Sequence, residues 1–280
     1  MNGILYLVGT PIGNLSDMSP RAIQTLESVD FIAAEDTRVT VKLLNHFDIK
    51  KPMVSYYEHN RIWSGTKILD RLLAGESCAL VTDAGMPAIS DPGEDIVRLC
   101  AENGVETVVI PGPSALVSAL AISGLSTQRF CFEGFLSVTR KSRFEHLESL
   151  KNEKRTMIFY EAPHKLIKTL QDMLEVLGDR QISLCRELTK LHEQVLRTTI
   201  SGAIEYYSDT IPKGEFVLVV QGAPEEHVSV SPEDALDLVA GYRASGKSLK
   251  EAAKLAAADT GISKNELYAM ALEQDRLSEN

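Results

Sequence analysis

The sequence predicts an α/β protein whose parallel sheet carries three ligand-type loops along one edge. Short apolar runs, typical of strands buried on both faces, alternate with helix-like segments. Three of these runs end directly in loops rich in Gly, Pro, Asp and Ser, at residues 9–14, 83–93 and 111–115. Open α/β sheets bind ligands at the carboxyl ends of their strands. The pattern therefore predicts a loop-built ligand cleft at that edge.

An N-terminal α/β domain is expected over residues 1–118, because strands and helices alternate there as in a parallel sheet. Ser19 followed by Pro20 is typical of a helix start, and Gly104 of a helix end. Strands are predicted at residues 4–8, 31–34, 53–57, 79–81 and 106–110, and helices at 20–28, 39–47, 67–74, 96–103 and 116–122.

A second, α+β domain is expected over residues 119–224, because strands outnumber crossover helices in this part of the chain. Strands are predicted at residues 129–135, 155–160, 181–186, 195–200 and 215–221, and a helix ends at 177. We expect the strands at 195–200 and 215–221 to pair with each other. The ligand cleft would then lie between the two domains.

A helical tail is expected over residues 232–280, after a polar linker at 223–231. Amphipathic helices are predicted at 232–245, 249–260 and 265–273. Their arrangement around Gly261 is typical of a helix-turn-helix, which would fit nucleic-acid binding. The alternative is a helical appendage that packs on the core or on a second subunit.

Composition limits the classes of protein that the chain can belong to. No apolar run approaches the ~20 residues of a membrane span, and the start lacks the features of a signal peptide. Four separated cysteines form no CxxC pair, which indicates neither a zinc site nor a disulfide framework. We therefore expect a cytoplasmic protein without a metal. The net charge of −10 argues against nucleic-acid binding driven by overall charge, although a local basic patch could still meet a structured RNA.

Seven motifs run along the chain in the order of one known family. They are GTPIGNL (9–15), AAEDTR (33–38), LVTDAGMPAISDPG (80–93), PGPSA (111–115), FYEAPHKL (159–166), RELTKLHE (186–193) and KGEFVLVV (213–220). Through them the whole chain, tail included, resembles the ribosomal RNA small subunit methyltransferase I family. The resemblance implies a two-domain tetrapyrrole-methylase-like fold, S-adenosylmethionine in the interdomain cleft and a homodimer. It also implies methyl transfer to the ribose 2′-oxygen of a cytidine in the decoding region of 16S rRNA, free or within the small ribosomal subunit.

The resemblance further implies which residues bind the cofactor, and these residues fall in the predicted loops. Asp83, Ala84, Gly85, Ile89 and Ser90 are expected to contact its methionine end and ribose. The remaining contacts are expected from Pro11, Ser114, Ala115, Phe132, Glu133, Tyr160, Ala162, Gly214 and Phe216. Much of this recognition would use backbone groups, which is consistent with loops of Gly, Ala and Pro.

A general base would remove the proton of the 2′-hydroxyl, which is a poor nucleophile while it is protonated. Candidates at the expected cleft edge are Asp36, His59 and Asp83, with Glu35 behind them. Asp36 is the first choice, because Arg38 beside it could orient the carboxylate or hold a phosphate. The alternative is that this segment only caps the following helix.

Contact with RNA phosphates needs cations despite the negative net charge. The candidates are Arg38, Arg61, Arg140, Lys141, Arg143 and Lys165, and the only compact basic cluster is at 139–143. The alternative for such a cluster is a solvated surface. Trp63, Tyr56 and Tyr57 are expected in the core rather than in base-stacking platforms.

Two other functions stay open at the level of sequence. An enzyme of the same fold could methylate a small molecule such as a tetrapyrrole, although such an enzyme has no obvious need for the tail. A non-enzymatic nucleic-acid binder could use the helix-turn-helix, although a binding module would not require a loop-rich cleft.

Overall fold

The computed structural model describes residues 1–224 and 231–278, and the chain divides into two compact units, Met1–Ala223 and Pro224–Asn280. The first unit contains two five-stranded sheets. Both sheets belong to this one compact unit, so the predicted domain boundary at residue 118 stays a prediction. Most of the predicted polar linker at 223–231 lies outside the described residues.

The first sheet is parallel throughout, as predicted. Its strands are β1 (Ile4–Val8), β2 (Phe31–Ala34), β3 (Met53–Ser55), β4 (Cys78–Val81) and β5 (Glu106–Ile110), in the spatial order β3-β2-β4-β1-β5. Alternate residues of β2 and β4 enter two separate apolar clusters, one on each face of the sheet. This burial on both faces explains why these strands are continuous apolar runs.

Five helices lie in the first half of this unit: α1 (Pro20–Ser28), α2 (Thr37–His46), α3 (Arg61–Leu73), α4 (Glu94–Glu102) and α5 (Ala115–Ile122). Ser19 caps α1 and Asp36 caps α2, each by accepting a backbone N–H. α3 starts well before the predicted residue 67, because its first turns are packed through small residues that carry no apolar pattern. Ser64 and Gly65 are buried there, and a Cβ on Gly65 would lie 3.7 Å from the ring of Tyr56.

The second sheet is mixed, with the strand order β6-β7-β10-β8-β9. Its strands are β6 (Phe130–Phe135), β7 (Thr156–Glu161), β8 (Gln181–Arg186), β9 (Gln194–Thr199) and β10 (Phe216–Val220), and its helices are α6 (Arg140–Ser149), α7 (Leu166–Leu177) and α8 (Ile200–Tyr206). The predicted pairing of the strands at 195–200 and 215–221 is wrong, because β8 lies between β9 and β10. β10 is buried at all five residues, as a central strand is, whereas β9 is a partly exposed edge strand.

An apolar cluster joins the two sheets. It contains Ile12 from the loop after β1, Ala119 and Leu120 from α5, and Val217 and Val219 from β10. α5 thus packs against the second sheet, and the loop that precedes it is fixed between the two sheets.

The second unit, over its described residues, consists of α9 (Pro232–Ala244), α10 (Leu249–Thr260) and α11 (Lys264–Ser278). Ser248 and Glu251 form a capping box at the start of α10, and Gly261 ends it in the left-handed conformation. Its core is built mostly from small side chains: Ala235, Val239, Ala252, Ala253, Ala256, Leu267 and Ala271. α11 is longer than the predicted 265–273. Across the described parts of both units, we find no helix with the length and apolar character to cross a membrane.

Candidate functional site

A cavity of about 570 Å³ lies between the carboxyl edge of the first sheet and the second sheet. The first-sheet wall is built from the segments after β1, β2, β4 and β5. The second-sheet wall is built from β7, β8, β10 and the residues beside them. This volume falls within the range of small-molecule and cofactor sites.

Two close backbone contacts bring the three predicted loops together. Thr10 and Gly85 exchange backbone hydrogen bonds of 2.9 and 3.1 Å, which join the first loop to the second. Gly9 and Gly112 pack backbone against backbone, because a Cβ on Gly112 would lie only 2.8 Å from the Cα of Gly9. A larger residue at either glycine would force the first and third loops apart. The glycines that predicted the cleft therefore have a direct steric role.

The loop between β4 and α4 holds left-handed backbone at two residues that are not glycine. Ala88 has φ +69° and Ser90 has φ +62°, a conformation that costs an L-residue roughly 1–2 kcal/mol. Strained backbone is concentrated at functional sites, where the surrounding structure holds it in place. The loop presents Ile89, Ser90 and Asp91 to the cavity in this fixed geometry.

Three carboxylates line the first-sheet wall: Glu35, Asp83 and Asp91, here called the acidic cluster. The hydroxyl of Thr82 donates to Glu35 Oε2 at 2.6 Å. Partial burial, with the negative charge of Glu35, raises the pKa of Asp91 to about 6. The same two causes raise the pKa of Asp83. A carboxylate with a pKa near neutrality is suited to accept a proton during catalysis.

The second-sheet wall carries a paired network of Glu187, Lys190 and Glu215. Lys190 Nζ donates to Glu187 Oε1 at 2.9 Å and to Glu215 Oε2 at 2.8 Å. The hydrogen bond from Lys190 is the main cause that lowers the pKa of Glu187. Partial burial opposes the charge of Lys190, but its two carboxylate partners outweigh this and raise its pKa. The Lys190 stem also packs against Gly13, so the network supports the first loop.

Most of the residues expected to bind the cofactor lie together in the cavity wall. They are Asp83, Ala84, Gly85, Ile89, Ser90, Ser114, Ala115, Tyr160, Ala162 and Phe216. Pro11 adjoins Ile12, which lines the cavity. The ring of Phe132 packs edge-on against Tyr160, with 4.9 Å between centroids. These two expected residues are therefore neighbours of the wall rather than part of it.

The other two expected cofactor residues have different surroundings. Glu133 Oε2 lies 2.9 Å from His146 Nε2 on α6. Gly214 has φ +80°, and a Cβ on it would lie 2.6 Å from Glu187 Oε1. Gly214 therefore allows the backbone to approach the paired network closely, which is an indirect contribution to the site.

The candidate bases lie in three different environments. Asp36 caps α2 and forms an ion pair with Arg38, whose terminal nitrogen lies 2.6 Å from its carboxylate. The hydrogen bond from Arg38 is the main cause that lowers the pKa of Asp36 to about 2. Its backbone N–H donates to Asp83 Oδ1 at 3.2 Å, so these two candidates are neighbours. His59 is exposed in the turn before α3 and meets the ring of Tyr57 edge-on.

Arg143 is not available for RNA contact, and this part of the prediction is wrong. It is only 3% exposed, and its Nε and a terminal nitrogen lie 2.6 and 2.5 Å from Asp172 Oδ2. It also donates to the carbonyls of Ser137 and Val138. The basic cluster forms the first turn of α6, and Arg143 lies on the face of this helix that packs against α7. Arg143 therefore has a structural role.

The other predicted RNA-contacting cations stay at least partly accessible. Arg38 and Lys141 are strongly exposed. Arg140 is exposed beside Asp172 and Glu175. Arg61 pairs with Glu58 and Asp95, and Lys165 lies 4.0 Å from Glu161. None of these five side chains lines the cavity.

The aromatic residues near β3 differ in their exposure to solvent. Tyr56 is fully buried, as predicted. The prediction that Trp63 and Tyr57 lie in the core is wrong, because both are exposed. Trp63 occupies a position of α3 that points away from the buried face formed by Ser64, Gly65 and Ile68.

Sequence reasoning named Glu35 and Asp83 on the first-sheet wall, but it missed Asp91 there and the pair Glu187 and Lys190 on the second-sheet wall. Asp91 lies within the quoted SDPG stretch, and its signal is a carboxylate held in a rigid loop. Glu187 and Lys190 lie in the quoted RELTK stretch. Their roles depend on Glu35 and Glu215, which only the fold brings near.

Solved structures that resemble this fold include a methyltransferase and a synthase. A cobalamin biosynthetic enzyme, cobalt precorrin-4 methyltransferase, superposes with a TM-score of 0.56 at 19% identity, covering 77% of this chain and 94% of that chain. Diphthine synthase gives 0.60 at 15% identity, covering 78% and 90%. Residues 4–204 match the family model for Tetrapyrrole (Corrin/Porphyrin) Methylases, and residues 231–275 match that for the RsmI C-terminal HTH domain. The fold and site thus define a tetrapyrrole-methylase-like protein with a helical tail.

More similar relatives narrow this class. Ribosomal RNA small subunit methyltransferase I of Synechocystis sp. is 50% identical, over 97% of this chain and 98% of its own. The Bacillus subtilis protein of that name is 49% identical, over 95% and 93%, and the Thermotoga maritima one is 48% identical, over 79% and 99%. The chain belongs to the family of ribosomal RNA small subunit methyltransferase I. It is therefore a methyltransferase, and the alternative of a non-enzymatic binder is not retained.

The cavity fits S-adenosylmethionine, the methyl donor of this class. The small residues Ala84, Gly85 and Ala115 line one wall and leave room for a ligand beside the backbone, and the apolar side chains of Leu188 and Val217 line the opposite wall. The carboxylates of the acidic cluster suit a ligand that carries positive charge on sulfur and nitrogen. Within the described residues no group of His, Cys, Asp and Glu could hold a metal ion.

Proposed function

We propose that the chain transfers the methyl group of S-adenosylmethionine to the ribose 2′-oxygen of a cytidine in the decoding region of 16S rRNA. The observation that carries this proposal is a sequence identity of 49–50%, over nearly the full length, with proteins named for small-subunit rRNA methylation. We further propose that the protein acts in the cytoplasm as a homodimer, as the family resemblance implies.

The loops are proposed to hold the cofactor, which supplies an electrophilic methyl group on a positively charged sulfur. Asp83, Ala84, Gly85, Ile89 and Ser90 would hold its polar methionine and ribose parts. Pro11, Ser114, Ala115, Phe132, Glu133, Tyr160, Ala162, Gly214 and Phe216 would form or support the rest of the pocket. The strained loop and the Gly9–Gly112 contact pre-organise this surface, which lowers the entropic cost of binding.

The acidic cluster is proposed to accept the proton of the 2′-hydroxyl. As the new C–O bond forms, the 2′-O–H bond breaks and its proton moves to a carboxylate oxygen. The bound cofactor would supply the methyl group by cleavage of the bond between methyl carbon and sulfur, which would leave a neutral thioether. Asp91 is best matched, because its pKa of about 6 lets it stay ionised at pH 7 and still bind a proton. Asp83 is the second candidate. Asp36 and His59 stay candidates, but the pKa of about 2 makes Asp36 a weak proton acceptor.

The exposed cations near the first-sheet edge and on α6 are proposed to contact RNA phosphates. Arg38 and Arg61 lie at the starts of α2 and α3, and Arg140 and Lys141 at the start of α6. Lys165 precedes α7. Phosphate contacts position the substrate and do not read its sequence.

The direct test is methyl transfer from labelled S-adenosylmethionine to unmodified small ribosomal subunits and to free 16S rRNA, followed by alkaline hydrolysis. Label in an alkali-resistant dinucleotide supports the proposal, because a methylated 2′-oxygen cannot attack the adjacent phosphate. Label in mononucleotides shows methylation of a base and makes the proposed acceptor atom wrong.

A small-molecule methyltransferase is the second candidate, because the fold, which the chain shares with cobalt precorrin-4 methyltransferase, does not by itself determine the substrate. That likeness, at 19% identity, supports only the fold. Failure to label any RNA, with cofactor binding intact in a thermal shift assay, would bring this candidate to the front.

A further inference from the structure

The start of α3 exposes large apolar side chains next to one another. Ile62 is 83% exposed, and Trp63, the single tryptophan of the chain, is 64% exposed. Tyr57, in the turn before α3, is 42% exposed. Single apolar side chains are common on surfaces, but a cluster with exposed aromatic rings is typical of a binding surface. We call Tyr57, Ile62, Trp63 and Lys67 the aromatic patch.

The aromatic patch lies at the same edge of the first sheet as the cavity. α3 follows β3, so its first turn is at the carboxyl end of that strand, and β2 separates β3 from β4. Because neighbouring strands are about 4.8 Å apart, the ends of β3 and β4 are about 10 Å apart. Arg61 Nε lies 3.0 Å from Asp95 on α4, which follows the strained cavity loop, and this ion pair fixes the first turn of α3.

The patch combines an aromatic ring with a cation. Lys67 Nζ lies 3.4 Å from the centroid of the Trp63 ring, a cation–π contact. Among the described residues no carboxylate forms an ion pair with Lys67. Surfaces that bind single-stranded nucleic acid use this combination, since bases stack on the rings and cations meet the phosphates. The charge and the ring together therefore favour a nucleotide as the occupant.

We propose that the aromatic patch binds an unpaired nucleotide of the RNA substrate next to the methylated one, with its base stacked on Trp63. The inference rests on the proposed function and adds a substrate feature to it. A base in a duplex is not free to stack on the ring, so the target strand must be single-stranded at that neighbouring position. Lys67 then contacts the phosphate of the stacked nucleotide.

Because Trp63 is the single tryptophan, the tryptophan fluorescence of the protein reports directly on RNA that binds at this residue. The full-length protein is titrated with a short single-stranded oligoribonucleotide that spans the target cytidine, and with the same sequence annealed to its complement. We expect the single strand to quench the tryptophan fluorescence and the duplex to leave it nearly unchanged. Unchanged fluorescence with a single strand that the enzyme methylates would overturn the proposal.

Substitution gives an independent readout. Trp63→Ala is expected to raise the KM for RNA about 5- to 100-fold, the loss of one stacked base, with kcat and cofactor affinity unchanged. Trp63→Phe restores most of the loss because it keeps a ring. Leu73→Ala is the matched control, since Leu73 is 42% exposed at the other end of the same helix; its KM is expected to equal that of the wild type.

The two proposals fail in different ways. Equal KM values for wild type and Trp63→Ala on a methylated RNA would overturn the stacking role and leave the proposed function intact. Quenching by single-stranded RNA without methyl transfer to any RNA would overturn the proposed function and support the binding surface.

Discussion

The two walls of the cavity shift the pKa values of their carboxylates in opposite directions. On the first-sheet wall, Asp91 and Asp83 have raised pKa values, because burial and the neighbouring charge of Glu35 disfavour ionisation. On the second-sheet wall, the pKa of Glu187 is lowered by its hydrogen bond with Lys190. The first-sheet wall therefore holds two carboxylates that readily take up a proton, and the second-sheet wall holds one, Glu187, that stays ionised.

This difference indicates that the acidic cluster serves the chemistry and that the paired network supports the backbone. Unpaired carboxylates in a strained loop lower stability, and such groups persist where a function uses them. A paired network stabilises the backbone around it, and here the network surrounds left-handed residues at Glu187 and Thr189. We therefore expect substitutions in the acidic cluster to affect turnover, and substitutions in the paired network to affect binding and stability.

The largest expected effect is the loss of turnover in Asp91→Asn. The amide cannot accept the proton of the 2′-hydroxyl, so kcat is expected to fall about 10²- to 10⁴-fold, with a much smaller loss of cofactor affinity from the missing negative charge. Methyl transfer at saturating RNA and cofactor measures this, with Asp36→Ala as the comparison variant. A larger loss in Asp36→Ala than in Asp91→Asn would reverse our assignment of the proton acceptor.

A smaller effect is expected for Lys190→Met on the opposite wall. Without the ammonium, the partly buried Glu187 and the exposed Glu215 lose their shared partner, which is expected to cost about 1 kcal/mol of unfolding free energy after allowance for solvent screening. The KM for the cofactor should rise, because the methionine stem, no longer held by the two carboxylates, supports the first loop less firmly, while kcat is kept. Lys151→Met is the control, since Lys151 is exposed and its ion pair with the exposed Glu148 is long, at 3.9 Å. Equal stability of the two variants would show that the network is not a support.

The walls should also have opposite effects on the pH dependence of stability. The folded pKa of Asp91 is about 6 and its unfolded value about 3.9, so its carboxylate lowers stability as pH rises from about 4 to 6. The folded pKa of Glu187 is lowered, so its contribution is present above the unfolded value of about 4.3 and lost as pH falls through the folded one. At pH 7 Asp91→Asn is therefore expected to raise the unfolding midpoint, and Glu187→Gln to lower it. Below pH 4 the difference between Asp91→Asn and wild type should vanish, which thermal unfolding at several pH values measures.

Local sequence patterns predicted the first sheet and its loops well. Its strands are continuous apolar runs that need no partner to be recognised, and its glycines mark real backbone contacts, as at Gly9 and Gly112. The order of the second sheet could not be predicted in the same way. β9 contains polar residues and β10 is fully apolar, which distinguishes an edge strand from a central one, but only the complete packing shows that β8 separates them.

Side-chain environments were harder to predict than elements. Arg143 and Arg140 are three residues apart in one basic cluster, yet one is buried against Asp172 and the other is exposed. Trp63 looks like a core residue from its type alone, but its place on α3 exposes it. The pKa of Asp91 depends on Glu35, which lies on another strand end. Each of these properties depends on the surroundings that the complete fold creates, such as burial and neighbours that are distant in sequence.

The smallest expected effect is that of relaxing the strained loop in Ala88→Gly. Glycine removes a left-handed penalty of about 1–2 kcal/mol, but its freer unfolded chain takes back about 0.4–1 kcal/mol. We expect a net gain of about 0.5 kcal/mol in unfolding free energy, with a KM for the cofactor raised about twofold because the loop is less pre-organised. Ala101→Gly, at an exposed site on α4, should instead lose about 1 kcal/mol. If Ala88→Gly destabilises the protein as Ala101→Gly does, the left-handed backbone at Ala88 stores no strain. The first-sheet wall would then resemble the second-sheet wall more closely than the pKa values indicate.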